Sequence, residues 1–499
     1  MHCGPADAVG PFPSQREGTL FDSAFDSALP PLAGRDAEIS ALLEERPAVP
    51  RPAGSPPLER IRSAFSCGLH MHQPTIPAGP DGQLISHLQW MLEHPGEGDN
   101  HNAEPFAHCY RRMAEILPEL ISQGCEPRIM LDYSGNLLWG FEQMGRADIL
   151  DALRALACDP ALIPHVEWLG TFWSHAVAPS TPIADLTLQI QAWQHHFAAL
   201  FGDAALQRVR GFSPPEMALP NHPDSLFAFV KALRECGYQW LLVQEHSVET
   251  LEGAPLSREH TLLPNRLVAR SCSGEEVTIT ALVKTQGSDT KLVGQMQPCD
   301  EALGLQPLEL AGRRIPPLVS QIADGENGGV MMNEFPAAFR QAHQRLAGHA
   351  NGTPASGTAA TDTVALNGSE YLQLLAAAGL GEADFPPIQA VGQHAFRQGA
   401  GAGESSSALA MQGASWTNNL SWVEGYANVL EPMQELSARF HQRFDPLLAA
   451  DPAVSASPAY QQALLPLLLL ETSCFRYWGQ GAWTDYAREI HRRGLAALG

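Results

Sequence analysis

The chain has 499 residues, of which 44% are hydrophobic and 17% are charged. This is too long for one ordinary hydrophobic core, so we expect two or three globular units. The net charge of −23 argues against nucleic acid or an anionic membrane as a partner, whereas a neutral substrate such as a polysaccharide is compatible with it. The nine cysteines are scattered without a CxxC pair, which favours reduced thiols in the cytoplasm over a disulfide framework.

The N-terminal residues 1–60 are rich in Pro, Gly, Ser and Ala. They predict a flexible, loosely attached leader with one helix over 36–45. The first 30 residues lack a basic segment followed by an apolar core, so no secretory signal is predicted. The longest apolar run, 464–470, is too short to span a bilayer.

Strand and helix patterns alternate from residue 61 to residue 347. Helical patterns occupy most of the gaps between the strands, at 104–123, 149–158, 185–201 and 224–236. Such alternation indicates a mostly parallel sheet, and successive right-handed crossovers can close it into a catalytic (β/α) barrel. The predicted strands are seven short apolar or β-branched runs, at 64–71, 128–131, 165–170, 209–212, 239–243, 277–283 and 318–323.

Two further regions follow the predicted barrel. Residues 348–412 are rich in Gly, Ala and Ser and predict an excursion with flexible parts and a short helix over 369–378. Residues 413–499 are helical in pattern, with helices at 422–444, 458–472 and 484–497. The predicted fold class is therefore α/β, a seven-stranded (β/α) barrel followed by a C-terminal helical domain.

Polar clusters follow most of the predicted strands. Because the carboxyl ends of the strands form the active face of an α/β barrel, these clusters predict a polar pocket at one mouth. The clusters contain His70, His72 and Gln73 after the first strand, Asp132 to Asn136 after the second, Glu167, Trp173 and His175 around the third, Glu216 after the fourth, His246 after the fifth, and Asp324 and Glu326 after the seventh.

Two of these acids stand out by their setting. Glu216 follows a strand and the pair Pro214-Pro215, which stops the β ladder and fixes the exit of the chain. Asp324 ends an apolar strand before a glycine-rich turn. Two carboxylates brought to one barrel mouth are what a retaining glycosidase requires.

Other interpretations of the same residues stay open. His70 and His72 lie two apart on a strand and point to one side, so they suit a metal site as well as sugar hydroxyls or a structural role. Glu216 in a first helical turn is also a favourable cap. The segment that begins at Asp324 resembles a fragment of a calcium loop but lacks the other ligand positions. A single aromatic such as Trp416 fits a core position by default.

Several motifs together resemble glycoside hydrolase family 57. In chain order they are His70-Met71-His72-Gln73-Pro74, Glu167 with His175, Pro215-Glu216 and Asp324-Gly325-Glu326. The segments Tyr133-Ser134-Gly135-Asn136 and Gly413-Ala414-Ser415-Trp416 are also similar to that family. The resemblance covers residues 64–345 and, less closely, 410–499.

The resemblance implies a seven-stranded barrel with a C-terminal helical region. It also implies retaining cleavage or transfer of α-glycosidic bonds, mainly in α-1,4-glucans, without a cofactor or a catalytic metal. Glu216 matches the nucleophile and Asp324 the general acid/base of the family. The residues expected to bind substrate are His70, His72, Gln73, Glu167, Trp173, His175, His246, Glu326 and Trp416.

The chain also departs from the family pattern. Phe212 stands where many members carry a nearby tryptophan, and Gly328-Gly329 stands where several carry a bulky aromatic, which predicts a more open subsite. Hydrolysis, transfer and branching therefore stay open, as does the oligomeric state. The alternatives are a metal-dependent polysaccharide deacetylase built on the two histidines and a catalytically inactive glucan-binding protein.

Overall fold

The computed structural model describes residues 29–285, 290–326, 330–350, 353–354, 363–398, 421–477 and 481–499. Seven parallel strands form its centre, and each corresponds to one of the predicted runs. They are Ser63–Met71 (β1), Ile129–Tyr133 (β2), Val166–Leu169 (β3), Gly211–Phe212 (β4), Trp240–Gln244 (β5), Glu276–Lys284 (β6) and Leu318–Asp324 (β7).

These strands close into a ring. β1 pairs with β2 and β7, β2 pairs with β3, and β4, β5, β6 and β7 pair in succession. The remaining junction, between β3 and β4, is made by a parallel bridge from Gly170 to Phe212. There the Gly170 amide donates to the Gly211 carbonyl at 2.9 Å. A Cβ on Gly170 would lie 2.0 Å from the Tyr238 hydroxyl oxygen, so only glycine permits this close approach.

Helices connect the strands around the outside of the ring. The predicted helix over 104–123 is divided in two at Arg112, and the others match their predictions within two residues. The helices of the connections are His87–Glu93, Ala103–Arg111, Met113–Ser122, Gly135–Gln143, Ala147–Cys158, Asp185–Phe201, Asp203–Leu206, Pro223–Glu235, Arg258–Thr261, Thr290–Gly294, Gln297–Gly304, Val330–Asn333 and Phe335–Leu346.

The connections also contain short strands. Asn265–Arg270 pairs antiparallel with β6 and forms a hairpin with it. The other strands beside the ring are Thr75–Ile76 with Ile85–Ser86, Leu308–Leu310 with Arg313–Ile315, His349–Ala350 with Thr353–Pro354, and Val248–Thr250 with Pro387–Ala390.

Residues 363–398 pack on the barrel, and the predicted short helix is present as Gly368–Ala377. Thr363–Ala365 pairs parallel with the start of β1, and Pro387–Ala390 pairs with the hairpin strand Asn265–Arg270. Between them, the helix Gly368–Ala377 packs Tyr371 and Leu375 against residues inside the ring, including Met130, Leu169 and Trp240. Apolar side chains at helical spacing therefore close the N-terminal end of the barrel, which residue composition alone did not indicate.

Residues 29–60 also pack on the barrel, in contrast to the predicted loose leader. The helix Asp36–Glu44 buries Ile39 and Leu43. Arg46 donates to the carbonyls of Gln207, Val209 and Gly237 at 2.5–2.9 Å. Specific side-chain anchors thus hold a segment whose Pro- and Gly-rich composition suggested disorder. Residues 1–28 lie outside the described part of the chain.

The C-terminal region is helical, as predicted, and packs against the barrel. Its helices are Ser421–Ala450, Pro458–Leu470, Ser473–Tyr477 and Ala482–Leu498. The second helix is buried on almost every side, which explains its run of leucines, interrupted at Pro466. Thr472 forms a β-bridge to Ala176, and the Ser473 amide donates to the His175 carbonyl at 3.0 Å. This region therefore touches the barrel beside β3.

The described helices include none with the length and low polarity needed to cross a membrane. The eight cysteines in the described residues are all free thiols, and two of them, Cys158 and Cys272, are exposed.

Candidate active site

The ends of β1, β2 and β7 bring three polar side chains side by side. His70 opposes Asp132 of β2 and Asp324 of β7 in the parallel register. Partners in a parallel pair project to the same face of the sheet, so the three side chains lie together at the C-terminal mouth. The His70 Nδ1 atom is 2.9 Å from Asp132 Oδ2. The predicted clustering of strand-end residues is thereby observed for these three positions.

The charge of His70 is set by this acidic surrounding. Burial alone lowers the pKa of its imidazole, but the charge and hydrogen bond of Asp132, with the charges of Asp324 and Glu326, raise that pKa to about 10. At neutral pH the ring is therefore a cation, with both nitrogens acting as donors. A positive charge lies directly beside Asp324.

His175 connects this group to Glu216. Its Nε2 atom is 2.7 Å from His70 Nε2, and its Nδ1 atom is 2.7 Å from the Ser473 hydroxyl and 3.9 Å from Glu216 Oε1. Burial lowers the pKa of His175 well below its usual value, and the neighbouring imidazoles of His72 and His70 lower it further. His175 is therefore neutral, accepts a hydrogen bond from His70 and donates through Nδ1 to Ser473.

The backbone around Glu216 is held in an unusual conformation. Glu216 and Met217 have φ of +59° and +51°, and His175 has φ of +64°, all in the left-handed region that favours glycine. Each such residue costs about 1–3 kcal/mol unless the surroundings enforce it, and residues of this kind concentrate at functional sites. The two prolines before Glu216 restrict the chain here, as the sequence predicted.

Solvent reaches only some members of this group. The side chains of His70 and Glu216 are 13% and 10% exposed, and Asp324 is half-buried. Asp132 is completely buried, and the His175 side chain is 2% exposed. The two carboxylates singled out from the sequence are thus accessible, whereas the groups that orient their neighbours are enclosed.

Glu326 lies beneath Asp324 and is buried. It accepts a hydrogen bond from the His72 amide at 2.9 Å. Burial, followed by the charge of Asp324, raises the pKa of Glu326 to about 8. Glu326 is therefore protonated at neutral pH and lies too deep to meet a sugar in this conformation, which differs from the predicted substrate contact.

A buried arginine fixes the loop after β7. Arg112 donates to the Gly325 carbonyl at 3.0 Å and to the Met331 carbonyl at 2.7 Å. Its guanidinium also lies 5.1 Å from the ring centre of Phe335. The two carbonyls flank residues 327–329, which lie outside the described part of the chain together with the glycine pair expected to open a subsite. Sequence reasoning overlooked Arg112, which appeared only as one residue of a helix.

The imidazole nitrogens of the His-x-His pair have protein partners. His72 Nδ1 is 2.8 Å from the Ser134 hydroxyl, its Nε2 is 3.4 Å from Cys474 Sγ, and its ring stacks on His175 with centroids 4.0 Å apart. Both nitrogens of His70 are engaged as well. All four imidazole nitrogens of the pair thus have a partner within the described protein.

Gln73 leads from the histidines to a group of aromatic rings. Its Oε1 atom is 3.1 Å from His87 Nδ1. The His87 ring stacks on Trp90 at 5.8 Å and lies 5.3 Å from Trp483 of the C-terminal helix Ala482–Leu498. Both tryptophans are half-buried, so parts of their rings face solvent.

Glu167 lies away from this group. It faces the barrel interior at the layer of Met130, two residues before Leu169, which is level with Asp132. The Ser369 amide donates to Glu167 Oε2 at 3.0 Å, and the Ser369 hydroxyl donates to Glu167 Oε1. Burial raises the pKa of Glu167 to about 7 against these hydrogen bonds. The predicted sugar contact is wrong for this conformation, because the residue lies two positions before the strand end.

Trp173 is also a core residue. It is completely buried and donates from Nε1 to His196 Nδ1 at 3.1 Å. A Cβ on Gly135 would lie 2.0 Å from its ring, so that glycine makes room for it. The predicted role as a sugar platform is therefore wrong here.

His246 is half-buried on the turn after β5, at the same mouth as His70, and Trp416 lies outside the described residues.

The sequence matches no protein-family model and no curated protein. Among solved structures, the chain resembles the 4-α-glucanotransferase from Thermococcus litoralis, with a TM-score of 0.54 and 17% identity, over 88% of this chain and 60% of that enzyme. The GH57-type branching enzyme from Pyrococcus horikoshii has a TM-score of 0.48 and 14% identity, over 87% of this chain and 88% of that enzyme.

The chain thus spans 60% of the length of the glucanotransferase it resembles, and identity at this level establishes the fold alone. The chain has the same fold as that enzyme, a seven-stranded (β/α) barrel with C-terminal helices, as the resemblance to glycoside hydrolase family 57 implied.

Proposed function

We propose that the chain is a retaining glycoside hydrolase or transglycosylase that acts on α-1,4-glucans, with Glu216 as the nucleophile and Asp324 as the general acid/base. One observation carries this proposal. Glu216 and Asp324 come from different strand ends and flank the hydrogen-bonded pair of His70 and His175 at a single barrel mouth. Both carboxylates are accessible to solvent there.

The chemistry proceeds in two displacements. The Asp324 carboxyl donates its proton to the glycosidic oxygen as the bond from that oxygen to the anomeric carbon breaks. The Glu216 carboxylate bonds to the same carbon and forms a covalent glycosyl ester. The Asp324 carboxylate then takes a proton from water or a sugar hydroxyl, whose oxygen displaces Glu216. Water gives hydrolysis and a sugar hydroxyl gives transfer.

The surroundings of the two acids suit these roles. His70 is held by Asp132 and lies beside Asp324 in the strand register, so the two side chains keep a fixed relation at the mouth. The left-handed backbone at Glu216 and Met217 fixes the direction of the nucleophile before substrate arrives. The imidazole of His175 is neutral, and its Nδ1 atom lies 3.9 Å from Glu216 Oε1.

The half-buried rings of Trp90 and Trp483 are the better candidates for stacking on sugar rings. Both meet His87, which Gln73 joins to the histidine motif. An exposed aromatic face is needed to cover a pyranose ring, and the enclosed Trp173 has none. The name of the 4-α-glucanotransferase with the same fold supports an α-1,4-glucan as the first substrate to test.

The proposal is tested by incubating the protein with maltoheptaose and separating the products by chain length. Longer and shorter products together indicate transfer, and shorter products alone indicate hydrolysis. Glu216→Gln should reduce turnover by several orders of magnitude with an unchanged circular dichroism spectrum, because no glycosyl ester can form. Glu235→Gln, which changes an exposed carboxylate on a barrel helix, is the matched control. Unchanged maltoheptaose in the wild-type reaction contradicts the proposal.

A further inference from the structure

A second group of chemically reactive side chains lies apart from the proposed catalytic residues. His222, Asp224 and Cys272 each place one ligand atom within 4.8 Å of the other two, and in the described part of the chain this is the group whose side chains can together hold a metal ion. His222 and Asp224 are half-buried and Cys272 is exposed. An ion can therefore reach them without any opening of the core.

Two separate elements build this group. His222 is the last residue before the helix Pro223–Glu235, and Asp224 is in its first turn. Cys272 is in the turn between the strand Asn265–Arg270 and β6. The Cys272 amide donates to Asp224 Oδ1 at 2.8 Å, which fixes the thiol beside the carboxylate. A backbone hydrogen bond thus holds Cys272 next to Asp224.

Each side chain has a further constraint on its position. Pro223 restricts the backbone that follows His222, whose ring lies edge-on to Phe396 at 5.8 Å. The turn that carries Cys272 is closed by the hydrogen bonds from Gly274 to Ser271 and from Ser271 to Glu275. Gly274 has φ of +91°, which a glycine adopts without strain. The ligand atoms are therefore largely arranged before any ion binds.

The donor set selects a class of metal. An imidazole nitrogen, a thiolate and a carboxylate oxygen are the ligands of zinc, and three protein ligands leave its fourth tetrahedral position to water. A thiolate disfavours magnesium and calcium, which take oxygen ligands. Burial, followed by the hydrogen bond to Asp224, raises the pKa of the Cys272 thiol, so the metal must displace that proton when it binds.

We propose that His222, Asp224 and Cys272 form a site for a zinc-type divalent transition metal. The bound ion joins the hairpin to the chain segment that leads from Glu216 to the helix Pro223–Glu235. It therefore stabilises the junction between the hairpin and this helix and takes no part in bond cleavage. This site is independent of the proposed glucan chemistry.

The test uses cobalt(II), whose complexes are coloured. We expect titration of the full chain with cobalt(II) to produce a thiolate-to-cobalt charge-transfer band in the near ultraviolet, and zinc to remove it. Cys272→Ser should abolish the band. Cys158→Ser, which removes the other exposed thiol of the described residues, should leave it intact. No band in the wild type, or a band that survives in Cys272→Ser, overturns the proposal.

A second measurement separates a specific site from a reactive surface thiol. Zinc should raise the melting temperature of the wild type and of Cys158→Ser, and it should leave that of His222→Ala and Cys272→Ser unchanged. An equal shift in His222→Ala and the wild type contradicts a shared site. Neither readout depends on glucan turnover, so failure here and failure of the proposed activity are distinguishable.

Discussion

The Nε2 atoms of His70 and His175 lie 2.7 Å apart, although His70 belongs to β1 and His175 to the connection after β3. Asp132 holds the far nitrogen of His70, and Ser473 of the C-terminal helices holds the far nitrogen of His175. The pKa of His70, raised to about 10, makes this ring the donor of the shared hydrogen bond. A continuous chain of hydrogen bonds thus runs from β2 to the C-terminal helices between Asp324 and Glu216.

Ser473, at the end of this series of hydrogen bonds, is expected to position the His175 ring. Ser473→Ala removes the acceptor of His175 Nδ1–H, so the ring loses its fixed orientation toward Glu216. The loss of one such hydrogen bond is worth about 1.4 kcal/mol, or about a tenfold fall in kcat. Steady-state kinetics should show that fall with KM nearly unchanged.

A conservative variant provides the control for Ser473. Ser473→Thr keeps the hydroxyl and should retain most of kcat. If the alanine and threonine variants lose activity equally, with equal losses of stability, the residue supports the fold and does not position His175.

Glu326 is expected to make the protein less stable as pH rises. Its pKa is about 8 in the folded protein, above the usual value of 4.5. Between these values the unfolded chain releases the proton and the folded chain keeps it, so the free energy of unfolding falls by up to about 1.4 kcal/mol for each pH unit. Glu326→Gln keeps an acceptor for the His72 amide and removes this dependence.

Denaturant unfolding at about pH 5 and about pH 8 measures the effect of Glu326. The stability of Glu326→Gln relative to the wild type should increase over that interval. Glu59→Gln, at an exposed position, is the control and should give a constant difference. A constant difference for Glu326→Gln as well would show that Glu326 is not protonated in the folded protein.

Arg112 is expected to stabilise the residues that follow Asp324 at the end of β7. Arg112→Met leaves the carbonyls of Gly325 and Met331 without their donor inside the protein, at a cost of about 3 kcal/mol. Arg111→Met, on the adjacent and partly exposed side chain, should change stability by less than about 0.5 kcal/mol. Thermal unfolding compares the two, and equal effects would rule out a special role for the buried arginine.

Substitution of Trp483 is expected to weaken substrate binding, whereas substitution of Trp173 is expected to destabilise the fold. Trp483→Ala should raise KM for maltoheptaose about tenfold while the fold persists, because a stacking contact of about 1.4 kcal/mol is lost. Trp173→Ala should instead lower the free energy of unfolding by about 3–5 kcal/mol, because its ring is completely buried. Kinetics and denaturant unfolding of both variants separate these outcomes, and an unchanged KM in Trp483→Ala contradicts the stacking role.

The sequence predicted the barrel well, because each strand is an apolar run that ends in polar residues. The same rule located His70, Asp324 and Glu216 at one mouth. The rule misplaced Glu167, because this residue lies two positions before the end of β3. Its carboxylate faces the barrel interior, where it accepts a hydrogen bond from the Ser369 amide. Position along a strand, more than membership of it, decides which residues reach the mouth.

Contacts between distant segments were the part that the sequence did not reveal. Ser473 and Cys474 meet His175 and His72 only because the C-terminal helices pack beside β3, and no local pattern marks either residue. Asp132 had a visible signal, a carboxylate at the end of an apolar strand, but its role depends on its register with His70. Arg46 likewise anchors a Pro-rich segment through carbonyls that are distant in sequence.

Trapping the glycosyl ester tests the pairing of Glu216 and Asp324 most directly. In Asp324→Ala, fluoride can leave α-maltotriosyl fluoride without help from an acid, so the glycosyl ester on Glu216 still forms. Hydrolysis of that ester lacks its general base, so the covalent intermediate should accumulate. Peptide mass spectrometry should then find one maltotriosyl group on the peptide that contains Glu216, and none in the double variant with Glu216→Gln. A maltotriosyl group on another residue, or fluoride release that is unaffected by Glu216→Gln, would contradict the account.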